Sequence, residues 1–95
     1  MIHPSAIVAN DAEIHPNAYV GPWCIVESGV KIASNVRLVA RVRVASGTEI
    51  GENTEIYDGC VLGAPPQDLK YANENTSLKI GRNCIIREYC TLNRG

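Results

Sequence analysis

From Ile2 onward an aliphatic residue stands at every sixth position: Ile2, Val8, Ile14, Val20, Val26, Ile32, Leu38, Val44, Ile50, Ile56 and Leu62. After an interruption the series resumes at Ile80, Ile86 and Leu92. An α-helix repeats its apolar face every 3.6 residues and a strand every two, so neither element alone generates a period of six. A sustained period of this kind belongs to a repeat architecture, in which each unit buries its apolar face only by stacking on its neighbours.

The other places of the six are also selective. The fifth is small or slender: Ala6, Ala12, Ala18, Cys24, Val30, Val36, Val42, Thr48, Thr54, Cys60, Cys84 and Cys90. The fourth favours residues that tolerate positive φ: Asp11, Asn17, Gly29, Asn35, Gly47, Asn53, Gly59 and Asn83. The third often holds Pro or Ser, as at Pro4, Pro16, Pro22, Ser28, Ser34 and Ser46. A short strand and a tight corner in every six residues predict a triangular coil with three sixes per turn. The large aliphatic and the small residue both point inward, because the corner leaves room for one bulky group. Successive coils then pair as parallel strands about 4.8 Å apart. The fold class is all-β, a parallel β-helix of hexapeptide repeats with a little over four coils, forming one domain over residues 1–95.

Composition agrees. The chain is rich in Val and Ile, with no Phe and one Met, and its apolar residues come singly rather than in blocks. A formal charge of −1 gives no signal for a polyanionic partner, so nucleic acid is not expected. The opening MIHPSAIVANDAEI lacks a basic segment and an unbroken apolar run, so neither a signal peptide nor membrane insertion is expected. A cytoplasmic location is the expectation. All four cysteines occupy the inward fifth place, where Ala, Val and Thr stand in other repeats. They read as small buried apolar residues, in preference to a zinc site or a pair of disulfides.

Residues eighteen apart share a face of the prism. One face carries Ile7, Ile25, Arg43 and Val61, with Val39 and Tyr57 assigned to its second places. The others carry Glu13, Lys31 and Glu49, and Tyr19, Arg37 and Glu55. The apolar stripe of Ile7, Ile25, Val39 and Val61 reads as the face that packs against sister chains. The three arginines of RLVARVR do not form one patch, since the repeat sends Arg37 and Arg43 to different faces.

Between Gly63 and Leu78 the pattern fails, and eighteen residues separate the heads Leu62 and Ile80 where six are regular. One corner has swollen into an external loop at 64–77, while the phase of the repeat is preserved. Long excursions from a regular scaffold concentrate function. This one offers an amide, a carboxylate, an ammonium and a phenol at Gln67, Asp68, Lys70 and Tyr71. Such a set suits a polyhydroxylated, phosphorylated ligand, and a merely solvated polar loop is the alternative.

The run GAPPQDLKYANENTSLKIGRNCIIREYCTLNRG resembles the loop-and-return segment of the UDP-N-acetylglucosamine O-acyltransferases. The shared features are QDLKY, the IG that re-enters the coil, RE and NRG. The resemblance spans the whole chain and corresponds to the opening part of such an enzyme. It implies a left-handed winding, against the usual right-handed crossover. It also implies a homotrimer with clefts between neighbouring β-helices. The implied reaction moves a 3-hydroxyacyl group from acyl carrier protein to the glucosamine 3-hydroxyl of UDP-N-acetylglucosamine. That is the first committed step of lipid A synthesis in Gram-negative bacteria. The acyl group rides on the carrier's phosphopantetheine, and no other cofactor and no metal are implied.

Carried over residue by residue, the resemblance makes Asp68 an acceptor of hydrogen bonds from sugar hydroxyls. Lys70 holds the nucleotide-sugar by charge, Gln67 adds a polar contact, and Asn93 stands where the family has a polar cleft residue. The reaction needs a general base, for which histidine suits neutral pH. In the family that histidine lies on a coil past the position of Gly95. His3 and His15 stand at corners of the first coil and read as ordinary exposed residues. No catalytic residue is therefore assigned within 1–95, and this stretch by itself is expected to be inactive. It ends inside a repeat, which reads as a truncated β-helix whose downstream coils and helical domain are absent. A related N-acyltransferase shares the sixes but lacks QDLKY and starts with an extra uridine-binding domain. The remaining alternative is a non-catalytic β-helix that serves only as a trimerising scaffold.

Overall fold

A computed structural model describes residues 1–64 and 77–93, with Ala64 and Asn93 described through their backbone. Thirteen short strands follow one another: β1 Ile7–Val8, β2 Glu13–Ile14, β3 Tyr19–Val20, β4 Ile25–Val26, β5 Lys31–Ile32, β6 Arg37–Leu38, β7 Arg43–Val44, β8 Thr48–Ile50, β9 Glu55–Ile56, β10 Val61–Ala64, β11 Leu78–Ile80, β12 Ile85–Ile86 and β13 Thr91–Asn93. Every third strand joins the same sheet. The orders are β1-β4-β7-β10-β13, β2-β5-β8-β11 and β3-β6-β9-β12, and all pairs are parallel. The three sheets are the faces of a prism measuring 39 × 27 × 22 Å.

Register follows the predicted interval of eighteen, with Val8 on Val26 and Val26 on Val44. Across the excursion Leu78 falls on Thr48 and Ile80 on Ile50, so the coil resumes in phase. Each strand residue points one side chain in and the next out, as the period of two requires. Nine head residues, from Val20 through Leu62 and again at Ile80, are buried together with the fifth-place Ala18, Cys24, Val30, Val36, Val42, Thr48, Thr54 and Cys60. Val8, Ile14, Ile86 and Leu92 are half-buried and Ile2 is exposed, contrary to a uniformly buried column. The reason is positional: an outermost coil has a neighbour on one side only. All four cysteines are free thiols, and burial pushes the Cys24 and Cys60 thiols up.

The corners depart from the sequence expectation in an instructive way. Positive φ occurs at the fourth places Gly29, Asn35, Gly47, Asn53, Gly59 and Asn83, as predicted. It also occurs at Trp23, Arg41 and Tyr89, and not at Asp11 or Asn17. Trp23, Arg41 and Tyr89 share one column of corners with Gly59, between the β3 sheet and the β1 sheet. There the stacking of coils forces left-handed backbone on residues that do not favour it. Asp11 and Asn17 instead turn their side chains up to the next coil. The Asp11 carboxylate accepts from the Ser28 hydroxyl at 2.6 Å, and Asn17 Oδ1 accepts from the Asn35 amide at 2.9 Å.

The apolar stripe needs one correction. Ile7, Ile25 and Val61 lie in register on the β1 sheet, with Arg43 between Ile25 and Val61. Val39 does not join them. Its amide donates to the carbonyl of Ile56, which continues β6 in another sheet, and Tyr57 likewise continues β9. The second place extends the strand it follows rather than opening the next one. The second places of the β1 sheet are accordingly Ala9, Glu27, Ala45 and Gly63. Ile7 is 67% exposed and Ile25 40%, so the shortened stripe is open to solvent. No helix among the described residues is long and apolar enough to cross a membrane.

Candidate functional site

Three of the four residues singled out as a substrate site, Gln67, Asp68 and Lys70, lie outside the described residues, as does Tyr71. The fourth, Asn93, is the last residue of β13. It pairs with Ala64, the last residue of β10. The fold therefore brings the backbone of Asn93 to the root of the excursion, although twenty-nine positions separate Asn93 from Ala64.

The root has a distinct build. Val61 and Leu62 pair with Thr91 and Leu92, but the next pair is Ala64 with Asn93, so Gly63 is an extra residue bulged from the ladder. Its φ is +79°, and a β-carbon there would stand 2.0 Å from Thr48 Oγ1. Only glycine fits on both counts. Below it on the same sheet, Glu27 accepts from Arg43 at 2.8 and 3.1 Å and from the Ser46 amide at 3.1 Å. Partial burial pushes the Glu27 carboxyl up. The hydrogen bonds from Arg43 and Ser46 and the Arg43 charge outweigh that and hold it below the usual glutamate range.

The sequence reading missed a concavity on the β2 sheet. A trough of about 560 Å³ runs along this sheet, and its lining includes Glu13, Lys31, Glu49 and Lys79 together with His15, Ala33 and Gly51. Its charges alternate coil by coil, with Lys31 3.9 Å from Glu13 and Lys79 3.7 Å from Glu49. The signal was present in the eighteen-residue spacing, since the fourth charge appears once Lys79 is placed after the insertion. The trough opens on a different sheet from Asn93, and its ion pairs are solvent-exposed. Alternating cross-strand charges of this kind keep a parallel face wet and in register.

Neither histidine approaches the root of the excursion. His3 Nδ1 lies 2.8 Å from the Ser5 hydroxyl and accepts from the Ser5 amide at 3.1 Å. His15 Nδ1 accepts from the Asn17 amide at 3.2 Å. Both rings cap turns of the first coil. Among the described residues no group of three or more His, Cys, Asp or Glu is arranged to hold a metal ion.

Comparison with known proteins extends this picture. Residues 5–40 match the bacterial transferase hexapeptide family, described as six repeats. The chain is 56% identical over 94 residues to the acyl-[acyl-carrier-protein]–UDP-N-acetylglucosamine O-acyltransferase of a Sulfurihydrogenibium species, covering 99% of this chain and 35% of that protein. It is 48% identical over 94 residues to the corresponding protein of a Psychrobacter species, covering 99% of this chain and 36% of the relative. Among solved structures, the UDP-N-acetylglucosamine acyltransferase of Bacteroides fragilis superposes with a TM-score of 0.97 at 38% identity, over 100% of this chain and 37% of that one. The Acinetobacter baumannii structure gives 0.96 at 42% identity, over 99% and 36%. The chain thus spans little more than a third of the length of the relatives it matches. By sequence and by its β-helical fold, the chain is similar along its whole length to the hexapeptide-repeat portion of the acyl-[acyl-carrier-protein]–UDP-N-acetylglucosamine O-acyltransferases.

Proposed function

We propose that this β-helix serves the transfer of a 3-hydroxyacyl group from acyl carrier protein to the glucosamine 3-hydroxyl of UDP-N-acetylglucosamine, the opening step of lipid A synthesis, in the cytoplasm. The carrying observation is that similarity runs through the entire chain, including the interrupted coil, rather than through the sixes alone. Many hexapeptide proteins share the sixes. The excursion with QDLKY and its in-phase return is what distinguishes a substrate class.

In this reading the sugar hydroxyl attacks the thioester carbonyl of the acyl donor. A base takes the hydroxyl proton, and the phosphopantetheine sulfur leaves and is protonated to the thiol. Residues 1–95 contribute binding: Asp68 accepts from sugar hydroxyls, Lys70 meets the nucleotide's negative charge, and Gln67 and Asn93 add polar contacts. The base comes from coils outside these residues, since His3 and His15 are engaged in turns of the first coil. The prisms associate as a homotrimer through the sheet that carries Ile7, Ile25 and Val61.

Titration of UDP-N-acetylglucosamine into the chain and its variants tests the site. Lys70→Ala should weaken binding by roughly ten- to a hundredfold, the loss of one charge-assisted contact, at nearly unchanged thermal stability. Asp68→Ala should weaken it through lost contacts to the sugar. Wild-type affinity in both variants would reduce QDLKY to a solvated turn. Acyl transfer by residues 1–95 alone would overturn the assignment of the base to other coils.

A further inference from the structure

We infer that Thr48 and Gly63 form a positioning device that sets where Asn93 stands relative to the departing strand, an inference that rests on the ligand reading proposed above. Thr48 opens β8 at a fifth place and is fully buried, and its hydroxyl has no hydrogen-bond partner among the described residues. The other buried threonine is different. Thr54 Oγ1 donates to the Gly81 carbonyl at 2.9 Å and accepts from the Cys84 amide at 3.4 Å. A buried hydroxyl without a partner destabilises a fold, and Val30, Val36 and Val42 show that this core accepts valine at the fifth place. The oxygen of Thr48 therefore has a use other than stability.

That use lies in its contact with Gly63. The position of a Gly63 β-carbon falls 2.0 Å from Thr48 Oγ1, 3.5 Å from Thr48 Cβ and 3.6 Å from Ala45 Cβ. Thr48 and Ala45 thus fill the hollow that a side chain would occupy, and the hydroxyl oxygen faces an α-hydrogen of Gly63. This is the geometry of a weak C–H···O contact. An oxygen fits there where a methyl group, which is wider, has to push Gly63 outward. Gly63 is also the bulged residue of the ladder, so its position decides that Ala64, and not Gly63, faces Asn93. A bulge redirects the strand that carries it and the side chains beyond it. Thr48 thereby sets the register of Asn93 against β10 without touching a ligand.

The test compares Thr48→Val and Thr48→Ser in the 95-residue chain. Three readouts are melting temperature, the amide resonances and exchange rates of Gly63, Ala64 and Asn93, and UDP-N-acetylglucosamine affinity. Thr48→Val should melt close to the wild-type temperature, since the loss of an unpartnered hydroxyl offsets the displacement of Gly63. It should nonetheless shift the three amides, speed their exchange, and weaken nucleotide-sugar binding by about tenfold, a misplacement effect. Thr48→Ser keeps the oxygen and should restore amides and affinity. Wild-type amides in Thr48→Val, or an equal loss of affinity in both variants, overturns the positioning role. If the amides move as expected but wild-type protein fails to bind the nucleotide-sugar, or Asp68→Ala and Lys70→Ala bind as wild type does, the ligand reading fails. The control of Asn93 register by Thr48 then stands.

Discussion

Gly21 lies so close beneath Val39 that a β-carbon on it would stand 2.0 Å from the Val39 carbonyl oxygen. The same coil step carries the ladder bond from the Gly21 amide to the Leu38 carbonyl at 2.8 Å. The obstruction is backbone, which cannot swing aside as a side-chain end can. Gly21→Ala should therefore destabilise the chain by at least about 2 kcal/mol. At the usual scaling for a chain of this size that lowers the melting temperature by more than about 8 °C. Gly81 is the matched control, because its β-carbon would meet nothing nearer than Cys84 Sγ at 3.9 Å. Gly81→Ala should leave the melting temperature almost unchanged, and equal behaviour of the two variants would refute the close-approach argument.

Val26 is 1% exposed and sits between Val8 and Val44 in a continuous column. An aspartate there enters an interior with no cation to meet it. Val26→Asp should lose at least about 4 kcal/mol, most of the stability of a small domain. Loss of the β signal in circular dichroism at room temperature checks this. A cooperative native-like melt would show that the column is not dry.

The homotrimer proposal is exposed to failure at Ile25, which is 40% exposed in the single chain. If that face is covered by a sister chain, Ile25→Lys should weaken association by about 2 kcal/mol, roughly thirtyfold. The monomer's own melt should change little. Sedimentation across a concentration series separates the two effects, and a wild-type protein that remains monomeric throughout removes the proposal.

Acid should destabilise the fold through carboxylates held below their ordinary pKa. Glu27 is held down by Arg43 and Ser46 against its burial, Asp58 by Arg41 and Asp11 by Ser28. A group whose folded-state pKa is depressed contributes stability that is complete above its unfolded value and disappears as pH falls through the folded one. Unfolding free energy should therefore be flat from neutrality to about pH 5 and decline below about pH 4. Glu27→Gln should flatten that decline. An undiminished acid slope in this variant would assign it to other groups.

Much of this protein was legible because a period of six has one structural solution. The heads, the inward fifth places, the face assignments of Glu13, Lys31 and Glu49, and the phase of Leu78 and Ile80 after the insertion all follow from counting. Counting went wrong at Val39, where the number of the place in the six was right but its sheet was not. The second place continues the strand before it through the amide bond to Ile56. The candidate site was legible only as chemistry. Residue types at 67–71 suggest a polar ligand, while nothing in their order sets where they point.

The sequence by itself determined the architecture, since alternating large and small inward residues at a fixed interval fit only a stacked triangular coil. Tertiary structure alone decided the conformations that stacking imposes. Trp23, Arg41 and Tyr89 take left-handed backbone at φ of 61°, 51° and 57°, although none favours it, because each stacks in register with the next corner of one column. The same reason places Thr48 against Gly63 and Ala64 opposite Asn93. Local propensity is a preference of about 1–2 kcal/mol per residue, and the ladder bonds and burial of a whole coil outweigh it.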